Sequence, residues 1–135
     1  MPDKRIVALY IRVAHKSDDA VAMQESMLRK YADSCGYQDI SVYVDNGVSG
    51  IGYNRPALRQ LHSDIIAGHI SKVIVKDISR VSRSFFEIPN WINGIRRYGV
   101  SFISVMDDMT DETFVNKDEL FRLFLECPLN ELPHT

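Results

Sequence analysis

Two rhythms of hydrophobic residues alternate along this chain. Short apolar runs rich in β-branched and aromatic residues fall at 6–13, 40–44, 73–75 and 100–106. Each has the length and composition of a buried strand. Between the runs, apolar positions return every three or four residues. Met23, Met27, Leu28 and Tyr31 predict one helix, with Asp18 or Asp19 as its cap and Gly36 as its stop. Leu58, Leu61, Ile65 and Ile66 predict a second, opened by Pro56. Ile88, Trp91, Ile92 and Ile95 predict a third over 88–98, stopped by Gly99. Residues 45–55 hold Gly47, Gly50 and Gly52 beside Asn46 and Asn54, and read as a loop. Residues 79–84 read as another. Beyond Met106 the pattern fades: 107–112 is acidic and loop-like, 116–127 suits one short helix with Leu120, Phe121, Phe124 and Leu125 on a face, and Pro128 and Pro133 break the tail.

Strands alternating with helices imply an α/β fold. The expected architecture is a three-layer αβα sandwich around a mostly parallel sheet of four to five strands. Ligands of such sheets lie outside the carboxyl ends of the strands. Arg12, the 45–55 loop and the 79–83 loop all fall there. Residues 1–107 are expected to form the core, with 108–135 an acidic loop plus a short helix and tail.

Composition narrows the classes. With 135 residues, 45% of them hydrophobic and 25% charged, the chain fits one soluble domain with a real core. The net charge of -2 argues against a generic cationic coat for nucleic acid, so any basic residues that bind it must be gathered on one face, or another domain must supply the affinity. Cys35 and Cys127 lie far apart, and neither they nor His62 and His69 show ligand spacing; no metal and no cofactor is expected. The first apolar run is too short to span a membrane, and its charged flanks suit a signal peptide poorly, so a cytoplasmic, reduced setting is expected.

The candidate chemistry lies in the arginines. Arg12 lies at the end of the first strand, Arg80 and Arg83 follow the third, and Arg55 closes the glycine-rich loop. Arginine beside apolar strands is costly to desolvate unless an anion meets it, and its planar fork suits a phosphate. Taken alone, Arg80 and Arg83 read better as surface arginines on a helix-capping loop; Arg12 and Arg55 at the other strand ends reverse that preference. Arg96 and Arg97 read as a solvated helix end. The Gly47–Gly52 stretch lacks the phosphate-loop pattern and suits a plain connector nearly as well as a loop that orders on DNA. The Met23/Met27 and Trp91/Ile92/Ile95 stripes read as core packing.

In order along the chain stand Tyr10-Ile11-Arg12-Val13, Gln24, Asp45-Asn46-Gly47-Val48-Ser49-Gly50, Asn54-Arg55-Pro56-Ala57-Leu58 and Lys76-Asp77-Ile78-Ser79-Arg80-Val81-Ser82-Arg83. Each motif is weak alone, but the ordered set is specific. It resembles the catalytic domain of the serine site-specific recombinases (the resolvase/invertase family), nearest to the large transposon- and phage-type members, over roughly residues 6–106. The resemblance implies DNA cleavage, strand exchange and rejoining through a phosphoserine link to the 5′ end, without metal. It implies that Arg12, Arg55, Arg80 and Arg83 hold the scissile phosphate and its transition state, that Gln24 orients the site, and that Tyr10 and Asp45 support it.

The family nucleophile follows Arg-Val directly, and here that position is Ala14. A methyl group cannot attack phosphorus. The expectation is a phosphate cradle that is cleavage-dead as written. Two origins fit: an inactivated variant, or a degenerate natural relative, the latter favoured by His15-Lys16-Ser17-Asp18. Ser17 in a shifted register is a substitute nucleophile of lower standing, and His15 a lower one still. Relatives continue into a long helix and a DNA-binding domain, which are expected to be absent here. DNA is the expected partner, in a homo-oligomer or in a hetero-oligomer with a full-length recombinase. The alternative is a non-enzymatic protein that binds DNA phosphate or regulates a recombinase. A flavodoxin-like nucleotide binder is a third class, but no stretch carries a nucleotide fingerprint.

Overall fold

The computed structural model describes residues 4–48, 54–81 and 87–115. Five strands form one sheet in the order β2-β1-β3-β4-β5. These are β1 (Ile6–Val13), β2 (Ile40–Asn46), β3 (Ile70–Val75), β4 (Ser101–Ser104) and β5 (Met109–Thr110). β1 lies parallel to β2 and β3, β3 is parallel to β4, and β5 returns antiparallel to β4. The expected α/β class with a mostly parallel sheet is observed.

Alternation along β1 divides the core. Ala8 and Tyr10 face one cluster with Leu58, Leu61 and Ile65 of α2 (Pro56–Ile66), Ile88, Ile92 and Ile95 of α3 (Ile88–Arg96), and Phe102 of β4. Val7, Leu9, Ile11 and Val13 face the other, with Leu28 of α1 (Asp18–Ser34) and Ile74 of β3. The period of two along a strand thus covers both faces of the sheet with helices.

Several local expectations are corrected. The α1 cap is Ser17, whose Oγ accepts from the Ala20 amide at 3.1 Å, and not Asp18 or Asp19, which lie inside the first turn. The buried row of α1 is Gln24, Leu28 and Ala32, whereas Met23 is 74% exposed and therefore not core. Ile66 is also exposed, because it ends α2 on the side away from the sheet row Leu58–Leu61–Ile65. The expected strand at 100–106 is only Ser101–Ser104, since the chain turns sharply there through Asp108 at φ 52°. The stretch read as loop at 107–112 contains β5 and the start of α4 (Asp111–Val115). Asp111 binds it back to the sheet, pairing with Arg96 and accepting from the Phe102 amide at 3.1 Å, so Arg96 is not simply solvated. The helix expected at 116–127 lies outside the described residues.

The stop at Gly36 is observed. Gly36 has φ 78°, its amide bonds the Asp33 carbonyl, and the Tyr37 amide bonds the Ala32 carbonyl, closing α1 in the glycine-dependent way.

Candidate functional site

The carboxyl ends of β1, β2 and β3 meet at one rim, and Asp45 organises it. It pairs in register with Arg12 across β1 and β2, and it is 1% exposed. Its Oδ1 accepts from the Ala57 amide at 2.9 Å; its Oδ2 accepts from the Leu58 amide at 3.1 Å and the Tyr10 hydroxyl at 2.7 Å. The first amides of a helix lack intrahelical partners and carry its positive end. The residue preceding α2, Arg55, supplies no side-chain cap. Asp45, reaching across from β2, does so instead.

That contact places Arg55 directly above Tyr10. Arg55 Nε and Nη2 donate to the Tyr10 hydroxyl oxygen at 3.2 and 2.9 Å, and the guanidinium carbon lies 5.5 Å from the ring centroid. Burial, then the bond to Asp45, pushes the Tyr10 hydroxyl well above its ordinary pKa, against the opposing pull of Arg55. Tyr10 therefore stays protonated, donating to Asp45 while accepting from Arg55. Arg55 also donates to the Arg80 and Val81 carbonyls.

Arg12 is 2% exposed and reaches the same turn from β1. Its Nε donates to the Arg80 carbonyl at 3.3 Å, its Nη2 to the Ser79 carbonyl at 2.8 Å and its Nη1 to the Val48 carbonyl at 3.2 Å. The carbonyls of 79–81 lie on and just after a single 3₁₀ turn, Ile78–Arg80. Asp77 caps that turn, accepting from the Ser79 amide at 3.1 Å, and Asp107 accepts from the Ile78 amide at 2.8 Å. Arg80 points back: its Nη1 donates to the Arg12 carbonyl at 2.9 Å. Its Nε lies 3.4 Å from Asp77 Oδ2, near enough for an ion pair but not aligned for a hydrogen bond. Gln24, from α1, donates its Nε2 to the same Arg12 carbonyl at 3.2 Å.

Arg12, Arg55 and Arg80 thus gather around one turn, though they come from three separated stretches. All three donate to backbone carbonyls, but Arg12 and Arg55 are buried, whereas the Arg80 side chain remains 20% exposed. Ala14 is the first residue beyond β1, half-buried in a bend just past the Arg12 carbonyl where Gln24 and Arg80 converge. Exposed His15 and Lys16 follow it. Ser17 is committed as the α1 cap, its amide bound to Asn46 Oδ1 at 2.9 Å. Arg83 and residues 49–53 lie outside the described residues. Among the described residues no group of three or more His, Cys, Asp or Glu side chains could hold a metal ion.

Sequence reasoning missed Asp77 and Asp107 as braces of the turn. Asp77-Ile78-Ser79 has the spacing of a side chain capping the amide two residues on, so the first of these was readable. The second joins residues 29 apart and had no local signal.

A mostly parallel sheet with this arginine-braced rim defines the class. The family described as Resolvase, N terminal domain, matches residues 7–127, and the chain belongs to it. The structure is similar to the N-terminal catalytic domain of TP901-1 integrase, with 28% identity, TM-score 0.75, and coverage of 90% of this chain and 93% of that one. It is similar to a resolvase family site-specific recombinase from Streptococcus pneumoniae, with 25% identity, TM-score 0.69, and coverage of 90% and 91%. A curated Bacillus subtilis (strain 168) protein, named "Putative DNA recombinase", is 37% identical over 82 residues, which are 58% of this chain and 16% of that protein. The fold is that of serine recombinase catalytic domains. No described helix is long and apolar enough to cross a membrane.

Proposed function

We propose that this chain holds a DNA phosphodiester at the rim where Arg12, Arg55 and Arg80 meet, that Arg83 also binds it, and that Ala14 leaves the chain unable to cut the strand. The observation that carries this reading is the convergence of Arg80 and Gln24 on the Arg12 carbonyl, two residues before Ala14. A serine hydroxyl at position 14 stands beside that cationic turn. In the family reaction the hydroxyl attacks phosphorus, and charge builds on the phosphoryl oxygens as the bond to the leaving 3′ oxygen breaks. Preorganised guanidinium groups are suited to that charge. Tyr10 and Asp45 act indirectly: they fix Arg55 and the start of α2. Gln24 positions the end of β1.

Ala14 also favours a second role, in which the chain joins an active recombinase and regulates it without cleaving. Inhibition of such an enzyme in trans by the unmodified chain is the expected sign, and absence of any mixed assembly overturns that role.

The primary test is Ala14→Ser, offered a nicked oligonucleotide substrate that traps cleavage by an active relative. The expected outcome is a covalent protein–DNA adduct from A14S and none from the unmodified chain. Adding Arg80→Ala should lower adduct formation by roughly 10²–10³-fold, the scale of losing one transition-state donor. Absence of an adduct from A14S, under conditions where the relative forms one, rejects the assignment.

A further inference from the structure

Beside this rim, on the α1 face of the sheet, lies a cleft of about 500 Å³. Its volume falls within the range of roughly 300–1,000 Å³ typical of small-ligand sites. Val13, Met23 and Met27 form an apolar wall, and Gln24, Lys76 and Arg80 form a polar one. Lys76 follows β3 directly and makes no ion pair with a described residue. Met23 keeps 74% of its surface exposed at the edge of a cleft whose lining also holds Lys76 and Arg80. Gln24, only 7% exposed, carries an Oε1 with no hydrogen-bond partner among the described residues. A buried acceptor left unpaired costs stability and calls for a donor from elsewhere.

We infer that this cleft is a nucleotide subsite for an unstacked residue of the DNA strand bound at the rim. This inference rests on the phosphodiester reading and adds to it a base-contacting wall. The phosphate flanking that nucleotide lies between Lys76 and Arg80. Its base lies against Met23 and Met27, whose polarisable sulfurs make favourable contacts with aromatic rings and adapt to differing shapes. A base N–H supplies the donor for Gln24 Oε1. Lys76 and Met23 are the residues this assignment adds; neither belongs to the arginine cluster.

The test compares two labelled single strands of equal length by fluorescence anisotropy, one of thymidines and one abasic, on the full chain across a salt series. The unmodified protein should bind the thymidine strand more tightly than the abasic one. Met23→Ala should erase about two- to twelvefold of that preference, the range of sulfur–aromatic contacts, and leave the salt dependence unchanged. Because Met23 lies outside the core, this variant keeps the fold. Lys76→Ala should weaken both strands and reduce the salt slope by about 0.7, the single-strand value for one phosphate contact. Lys30→Ala, on the exposed part of α1, serves as the control and should change neither. Equal binding of the two strands by the unmodified chain, or a preference that survives Met23→Ala, overturns the subsite. If both strands bind through Arg80 but M23A and K76A match the unmodified chain, only the subsite fails. If neither strand binds at all, the phosphodiester reading fails with it.

Discussion

Asp45 is one residue with three donors upon it. It caps a helix from a neighbouring strand, holds the Tyr10 hydroxyl, and through Tyr10 sets the seat of Arg55. Removing it strands three donors at once, two of them buried, and an unmet buried polar group costs more than a typical hydrogen bond contributes. Asp45→Ala should therefore lose roughly 3 kcal/mol of stability or more, while Tyr10→Phe, which deletes a single hydroxyl, should lose about 1–2 kcal/mol. Urea denaturation followed by circular dichroism checks the ranking. Equal losses in the two variants would show that Asp45 acts only through Tyr10 and not as the cap of α2.

The face that α1 turns to the sheet is a property of the element. Its row Gln24–Leu28–Ala32 is buried, so the helix is rotated by one residue from the face that Met23 and Met27 predict. A polar side chain lies in the buried row because its amide reaches the Arg12 carbonyl, where β1 leaves the sheet. The start of the element is set by Ser17, which is fastened at once to Ala20 and Asn46. Ser17→Ala should cost about 1 kcal/mol, the usual value for losing such a cap. Leu28→Ala should cost roughly 2–5 kcal/mol, whereas Met23→Ala should stay within about 0.5 kcal/mol. Thermal melting of the three variants distinguishes the observed face of α1 from the one its apolar spacing suggests.

At the scale of the molecule, α2 and α3 are joined by a polar contact set among apolar ones. Trp91 Nε1 donates to His62 Nε2 at 2.8 Å, while its ring meets Phe102 of β4 edge-on at 5.5 Å between centroids. Burial first, and then the charge of Arg55, holds the His62 pKa below its ordinary value. The unfolded chain therefore takes up a proton at His62 before the folded one does. The contribution to stability is present in full above about pH 6.5, the ordinary histidine value, and is lost as the pH falls from there toward the lowered folded pKa. A protonated Nε2 also cannot accept from Trp91. Melting temperatures should fall on acidification below about pH 6.5, and His62→Gln, which keeps an acceptor but does not titrate there, should flatten that part of the profile. An unchanged profile in the variant would remove His62 as the cause.

Much of this architecture was legible in the order of residues, because the spacing of apolar positions is a local property that each element must satisfy by itself. The strand Ile6–Val13, the helix opened by Pro56 and the stop at Gly36 follow from composition within a few residues. The ordered motifs around Arg12, Asp45, Arg55 and Arg80 marked out the recombinase class for the same reason: they are written in the chain. Side-chain partners were not legible in this way. That Arg12 and Arg55 grip the carbonyls of one turn, that Asp45 caps a helix it does not belong to, and that Met23 borders a cleft while Gln24 is buried all depend on packing between separate elements, through contacts that join residues 13 to 67 apart in the hydrogen bonds named. A hydrogen bond is satisfied by whichever donor and acceptor the folded chain brings within about 3 Å, and no pattern of neighbours along the chain encodes that meeting.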